Sequence, residues 1–214
     1  MKSLLLSRAA LLAVLIATAT AAAAVGGQNP QVTLPLHAKA SSFEPCNGYL
    51  PVDCRTNLPT VNISAGPAAI FLFVMNHSAV AGVQTAFRPD PSWTFTFGLW
   101  DCQPGQLNAV TPAPPFGPTA GTITTAFNCL SGPALGVIGR MFFVAGSVGC
   151  LEQIQSSYPF GLHVLDCTQG IDQIPDSQAF RCGKICVGQG GVDACYPSTA
   201  VDGATWGAIK AQYQ

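Results

Sequence analysis

Nine cysteines are spread between residues 46 and 195 of this 214-residue chain. So many thiols are unusual in a reducing cytosol and common in proteins that fold in an oxidising compartment. We therefore expect at least three disulfides, although spacing alone does not fix how the cysteines pair. The working hypothesis leaves Cys182 as the free thiol and joins Cys46 with Cys54, Cys102 with Cys129, Cys150 with Cys167, and Cys186 with Cys195.

The first 24 residues have the composition of a signal peptide. Lys2 and Arg8 supply a basic start, residues 9–17 are apolar, and the small residues 21–24 precede an expected cleavage after Ala24. No later stretch reaches the roughly 20 uninterrupted apolar residues that a spanning helix needs. We expect a secreted protein without a transmembrane segment, located outside the cell, in the periplasm or on the cell surface.

The charge of the mature chain argues against a nucleic-acid partner. Charged residues make up 9% of the sequence, against about 25% in an average globular protein. Removal of Lys2 and Arg8 with the signal peptide leaves seven basic residues (9 − 2) against ten acidic ones. The basic surface that binds nucleic acid is therefore missing.

Short β-strands separated by Pro and Gly turns dominate the rest of the pattern. Residues 68–75 are apolar at odd and even positions alike, which is typical of a strand buried on both faces. Residues 93–100 alternate instead, and the two predicted faces are Trp93, Phe95, Phe97 and Leu99 against Thr94, Thr96, Gly98 and Trp100. Further strands are predicted at 82–87, 122–127, 134–145 and 162–167, with a helical turn at 150–155.

These elements predict one all-β sandwich domain over residues 61–180. Residues 25–60 are interpreted as an irregular, disulfide-stapled leader with an edge strand at 32–36. Residues 181–214 are interpreted as a tail rich in Cys and Gly. The tail is expected to end in a short amphipathic helix, because Trp206, Ile209 and Tyr213 recur at helical spacing behind Thr205, the expected N-cap. This helix either closes the sandwich or binds a partner.

Three stretches, 82–87, 93–102 and 136–141, resemble uncharacterised exported proteins of environmental bacteria. The order of strands resembles the cohesin-type or immunoglobulin-like β-sandwich modules of cell-surface proteins. The cohesin resemblance implies a non-catalytic module that binds a protein partner through one sheet face. We therefore expect a structural or interaction module with protein partners; its oligomeric state is left open.

Signals for enzymatic chemistry are weak. No Gly-x-Ser-x-Gly elbow occurs, and most aspartates lie in turn sequences, so a secreted hydrolase is the least favoured function. Cys182, Cys186, Cys195 and His163 offer four zinc ligands, but disulfides are the better interpretation in an exported chain. We expect no enzymatic activity, no cofactor and no metal.

The alternative function is carbohydrate binding. Trp100 lies on the face opposite to the predicted core residues, where an aromatic ring can stack on a sugar with Thr94 and Thr96 beside it. The competing interpretation is that Trp100 packs on a disulfide formed by Cys102. Arg140, within an apolar strand, is expected to form an ion pair with Asp101 or Asp166.

Overall fold

Twelve β-strands and one short 3-10 helix, at Asp176–Arg181, form the described part of the chain. The structure, a computed structural model, describes residues 27–40, 60–99, 102–111, 121–132, 136–156 and 161–194. Within these ranges no helix has the length and apolar character needed to cross a membrane. The strands are β1 (Leu36–Ala40), β2 (Asn62–Ile63), β3 (Gly66–Val74), β4 (Ala79–Pro89), β5 (Thr94–Leu99), β6 (Leu107–Thr111), β7 (Gly121–Ser131), β8 (Gly136–Ala145), β9 (Cys150–Ile154), β10 (His163–Asp166), β11 (Ile171–Gln173) and β12 (Lys184–Val187).

The strands form two sheets. The smaller sheet is antiparallel and has the order β1-β3-β8-β5. The larger sheet follows the path β11-β10-β4-β9-β12-β2, and β7 and β6 extend it from the other side of β4. Its β12–β2 pair is parallel. The predicted all-β sandwich is confirmed.

The main core lies between the two sheets. Ile70 and Leu72 of β3 and Met141 and Phe143 of β8 contribute to it from the smaller sheet. The larger sheet contributes apolar residues from β4, β7, β9, β10 and β12 to the same cluster. Strand β3 is buried on both faces, as its sequence predicts, since Ala69, Phe71 and Phe73 point away from this core and are also buried.

Strand β5 contains a β-bulge that changes the direction of its side chains. Phe95 pairs with Phe143 and Phe97 with Phe142, so Thr96 is an extra residue without an opposite partner on β8. Phe95 joins the main core, whereas Phe97 packs against the cluster on the other face. The predicted common face for these two phenylalanines is wrong, because one inserted residue reverses the alternation that follows it.

Strands also occur where irregular or helical structure was predicted. β1 lies within the expected leader and pairs along its whole length with β3. β12 lies within the expected tail and pairs with β9. β9 covers residues predicted as a helical turn; Leu151, its apolar inward residue, is fully buried in the core. The predicted signal peptide and the predicted C-terminal helix lie outside the described residues.

The disulfides differ from the working hypothesis. Cys129 bonds to Cys167 and Cys150 to Cys186, with Cα–Cα distances of 5.5 and 4.1 Å. The proposed pairs Cys102–Cys129, Cys150–Cys167 and Cys186–Cys195 are therefore wrong. Cys150 and Cys186 are opposite each other in the β9–β12 register. Sheet pairing, rather than sequence spacing, brings them within bonding reach. Cys46 and Cys54 lie outside the described residues.

Candidate functional site

The smaller sheet has an apolar cluster on the face that points away from the main core. We call it the outer cluster; its members are Ala69, Phe71 and Phe73 of β3 and Val137 and Phe142 of β8, with Phe97 and Cys102 packed against it. The rings of Phe71 and Phe73 have centroids 6.4 Å apart. A sheet that is apolar on both faces needs a second layer or a partner on its outer side.

The corresponding outer face of the larger sheet is polar. Thr124 donates a hydrogen bond of 3.0 Å to the side-chain oxygen of Gln84. Arg88 and Lys184 each lie 2.7 Å from a carboxylate oxygen of Glu152. The hydrogen bonds from Arg88 and Lys184 hold the pKa of Glu152 below its ordinary value. Gln84 is buried, whereas the ion pairs of Glu152 are partly exposed. The two outer faces of the sandwich therefore differ in chemistry.

An exposed strip lies at the end of the smaller sheet. It consists of Pro67 on β3, Val144 on β8 and Thr94 on β5, and Val144 is the register partner of both others. Val144 is 46% exposed, and Pro67 and Thr94 are exposed as well. Val144 shares its face with Phe142, because residues two apart in a strand point the same way. The exposed strip therefore continues the outer cluster to the surface.

Two basic side chains flank Phe71 across the sheet. His37 of β1 and Arg140 of β8 are the register partners of Phe71 on its two sides. His37 is buried, and its Nδ1 accepts a hydrogen bond of 2.9 Å from the backbone N–H of Thr60. Burial, assisted by the positive charge of Lys39, lowers the pKa of His37 to about 4. The imidazole is therefore neutral at physiological pH.

Asp166, one of the two expected partners of Arg140, has a different role. Its carboxylate accepts hydrogen bonds from the backbone N–H groups of Thr168, Gly170 and Gln28, at 2.7, 2.7 and 3.1 Å. Burial by itself would raise the pKa of Asp166, but these hydrogen bonds outweigh it and lower the pKa. Asp101, the other expected partner, lies outside the described residues.

Asp166 and Asp172 together hold the N-terminal segment at Gln28 and Asn29, and we call these contacts the N-terminal anchor. The sequence did not predict it. The Asp172 carboxylate accepts a hydrogen bond of 2.7 Å from the backbone N–H of Asn29. The Asn29 side chain bonds in turn to the backbone of Ser78 and Ala79. The spacing of Asp166, Thr168 and Gly170 is a turn signal that points to part of this anchor.

The predicted carbohydrate platform is only partly described. Thr94 and Thr96 are exposed, and Trp100 lies outside the described residues. Thr96 is the bulged residue of β5, so its direction does not follow the simple alternation on which the platform was based.

Three of the four candidate zinc ligands, Cys182, Cys186 and His163, lie in the described part of the chain, and Cys195 lies outside it. Cys186 is bonded to Cys150, so its sulfur is not available as a thiolate. Cys182 carries a free thiol that is 6% exposed, and burial raises its pKa to about 12. Among the described residues, no group of three or more His, Cys, Asp or Glu side chains is placed to hold a metal ion. A buried thiol of this kind is unsuited to an intermolecular disulfide.

Comparison with known proteins finds similarity at the level of structure. No protein-family model matches the chain, and no curated protein matches it. A cohesin module from the family 33 glycoside hydrolase of Clostridium perfringens is 7% identical, with a TM-score of 0.46, over 73% of this chain and 96% of that module. A type II cohesin domain from the cellulosome of Acetivibrio cellulolyticus is 11% identical, with a TM-score of 0.45, over 67% and 89%.

A non-cellulosomal cohesin from the archaeon Archaeoglobus fulgidus is 9% identical, with a TM-score of 0.41, over 66% of this chain and 83% of that one. With identities of 7–11% and TM-scores below 0.5, the likeness carries no conclusion about this chain. It assigns neither an activity nor a partner to this chain.

Proposed function

We propose that the protein is a non-catalytic, secreted or cell-surface module that binds another protein through the exposed strip of its smaller sheet. The observation that supports this most directly is the exposure of Val144 beside the outer cluster. The outer face of the larger sheet, by contrast, carries the Arg88–Glu152–Lys184 ion pairs. Val144 and Pro67 are apolar and exposed side by side, and exposed apolar surface of this kind is found in protein-binding sites.

The strip is held rigidly. Pro67, Thr94 and Val144 lie on three adjacent strands of one sheet, so their spacing is set by the strand ladder. A rigid surface loses little conformational entropy on binding, which favours affinity. The two described disulfides fix the larger sheet behind it and suit an oxidising compartment outside the cytosol.

The test uses the mature chain, immobilised and exposed to the secreted proteins of its source organism. Retained proteins are identified, purified singly and titrated against the wild type and against the variant Val144→Asp. We expect the variant to bind at least tenfold more weakly, because a carboxylate in an apolar interface must lose its hydration.

The matched control is Ala126→Asp, which places the same carboxylate on the outer face of the larger sheet, where Ala126 is also exposed. This variant is expected to bind like the wild type. If no protein is retained, or if both variants bind with unchanged affinity, the exposed strip is not the binding surface. A parallel titration with soluble polysaccharides tests the carbohydrate alternative, and saturable binding there would replace the present proposal.

A further inference from the structure

Two polar side chains of the larger sheet point into the main core. Thr85 of β4 is 0% exposed, and its register partner on β7 is the core residue Ile123. Gln153 of β9 is the register partner of Phe87, which also belongs to the core. Because residues opposite each other on neighbouring strands share a face of the sheet, Thr85 and Gln153 both point between the two sheets.

The polar atoms of these two side chains are buried and unpaired. The hydroxyl of Thr85 and both polar atoms of the Gln153 carboxamide have no hydrogen-bond partner in the described part of the chain. The outward-pointing Gln84 differs, since its amide donates to the carbonyl of Gly161 and accepts from the hydroxyl of Thr124. A buried polar atom without a partner costs free energy, and most such atoms in native structures are paired with protein or ordered water.

The strand ladder is interrupted beside Thr85. β4 pairs with β10 up to Gln84 and with β9 from Ala86 onwards, so Thr85 lies where β4 changes its neighbour. Gln153 is opposite Phe87, two residues further along β4. Diagonal neighbours of this kind have Cα atoms about 7–8 Å apart. Two successive hydrogen bonds through one water join polar atoms roughly 5 Å apart, a span that suits these two side chains.

We propose that Thr85 and Gln153 bind an internal water molecule, which bridges the hydroxyl and the carboxamide inside the core. The site offers a hydroxyl, an amide N–H group and an amide oxygen. An internal water typically makes about three hydrogen bonds, and it donates as well as accepts, as these three groups require. The inference is independent of the proposed function, because the site lies between the sheets and the exposed strip lies on the surface.

The first test counts internal water directly. Magnetic relaxation dispersion of water, recorded on the mature protein, detects water molecules that stay bound for longer than nanoseconds. We expect Thr85→Val to lose the contribution of one such molecule. The matched control is Thr125→Val, which removes another inward hydroxyl; this one already accepts a 2.9 Å hydrogen bond from Gln106. The control is expected to keep the dispersion of the wild type, and an unchanged dispersion in Thr85→Val overturns the proposal.

Stability provides a second readout, in which the two possibilities have opposite signs. Removal of an unpaired, dry hydroxyl raises the urea midpoint of unfolding, whereas removal of a water ligand lowers it. We expect lower midpoints for Thr85→Val and for Gln153→Met. The double variant is expected to lose less than the sum of the two, because both side chains bind the same water. A raised midpoint in Thr85→Val, or additive losses in the double variant, contradicts the water bridge.

Discussion

The rings of Phe97 and Phe142 stack on the outer face of the smaller sheet, with centroids 4.2 Å apart. Phe95, only two residues earlier, packs edge-on against Phe143 in the main core. The bulge at Thr96 explains how both contacts form in one strand, because it places the two phenylalanines on opposite faces.

Deletion of Thr96 is therefore expected to be tolerated. Without it, Phe95 and Phe97 become neighbours in a regular ladder and keep their present faces. The expected loss of unfolding free energy is within about 1 kcal/mol. Denaturant unfolding with an unchanged m-value is the measurement.

The matched control is deletion of Thr94, another exposed threonine of the same strand. It reverses the face of Trp93, which is buried in the core and donates a 3.0 Å hydrogen bond to the carbonyl of Val148. We expect a loss of about 3 kcal/mol or more. Similar losses for the two deletions contradict the assigned bulge.

His37 makes stability depend on pH. Its pKa of about 4 in the folded protein lies below the ordinary value of 6.5, so the unfolded chain binds a proton first as pH falls. The unfolding free energy is expected to decrease between pH 6.5 and 4, by up to about 1.4 kcal/mol per pH unit. His37→Asn retains an acceptor for the N–H of Thr60 and removes this slope. Lys39→Gln is expected to make this slope shallower, because the positive charge that disfavours protonation of His37 is lost. An unchanged slope in His37→Asn contradicts the assignment of the pH dependence to His37.

Asp166 stabilises the N-terminal anchor through its ionised form. Since its pKa is lowered in the folded state, its contribution is present above the ordinary pKa of 3.8 and is lost as pH falls further. Asp166→Asn turns an amide donor toward backbone N–H groups and is expected to cost about 1–3 kcal/mol at neutral pH. Asp176→Asn, at an exposed position of the 3-10 helix, serves as the control and is expected to be neutral. Equal losses of stability for the two substitutions would contradict the stabilising role assigned to the Asp166 carboxylate.

Cys182 is expected to resist alkylation in the native protein. Its thiol is buried, and a pKa of about 12 leaves almost no thiolate at pH 8. Iodoacetamide followed by mass spectrometry is expected to show no label until the protein is denatured, and then one label. Ser177→Cys supplies an exposed thiol for comparison. Rapid labelling of native Cys182 would show that the side chain is accessible.

The local pattern of the chain predicted several strands correctly. The uninterrupted apolar run at 68–75 corresponds to β3, buried on both faces, and the predicted strand at 82–87 lies within β4. These predictions succeed because the direction and burial of neighbouring side chains repeat with the geometry of the strand itself. The edge strand expected at residues 32–36 is placed less well, because β1 covers Leu36–Ala40. Its pairing with β3, rather than its own pattern, identifies it as a strand.

Sequence by itself determined that the chain forms a disulfide-bonded β-sandwich with an apolar strand at its centre. Tertiary structure alone decided that Cys150 bonds to Cys186 and Cys129 to Cys167, and that Phe97 leaves the main core. The physical reason is common to these features. Bonding partners and bulges depend on the register between strands that are distant in sequence, and a shift of one residue in that register changes which atoms meet.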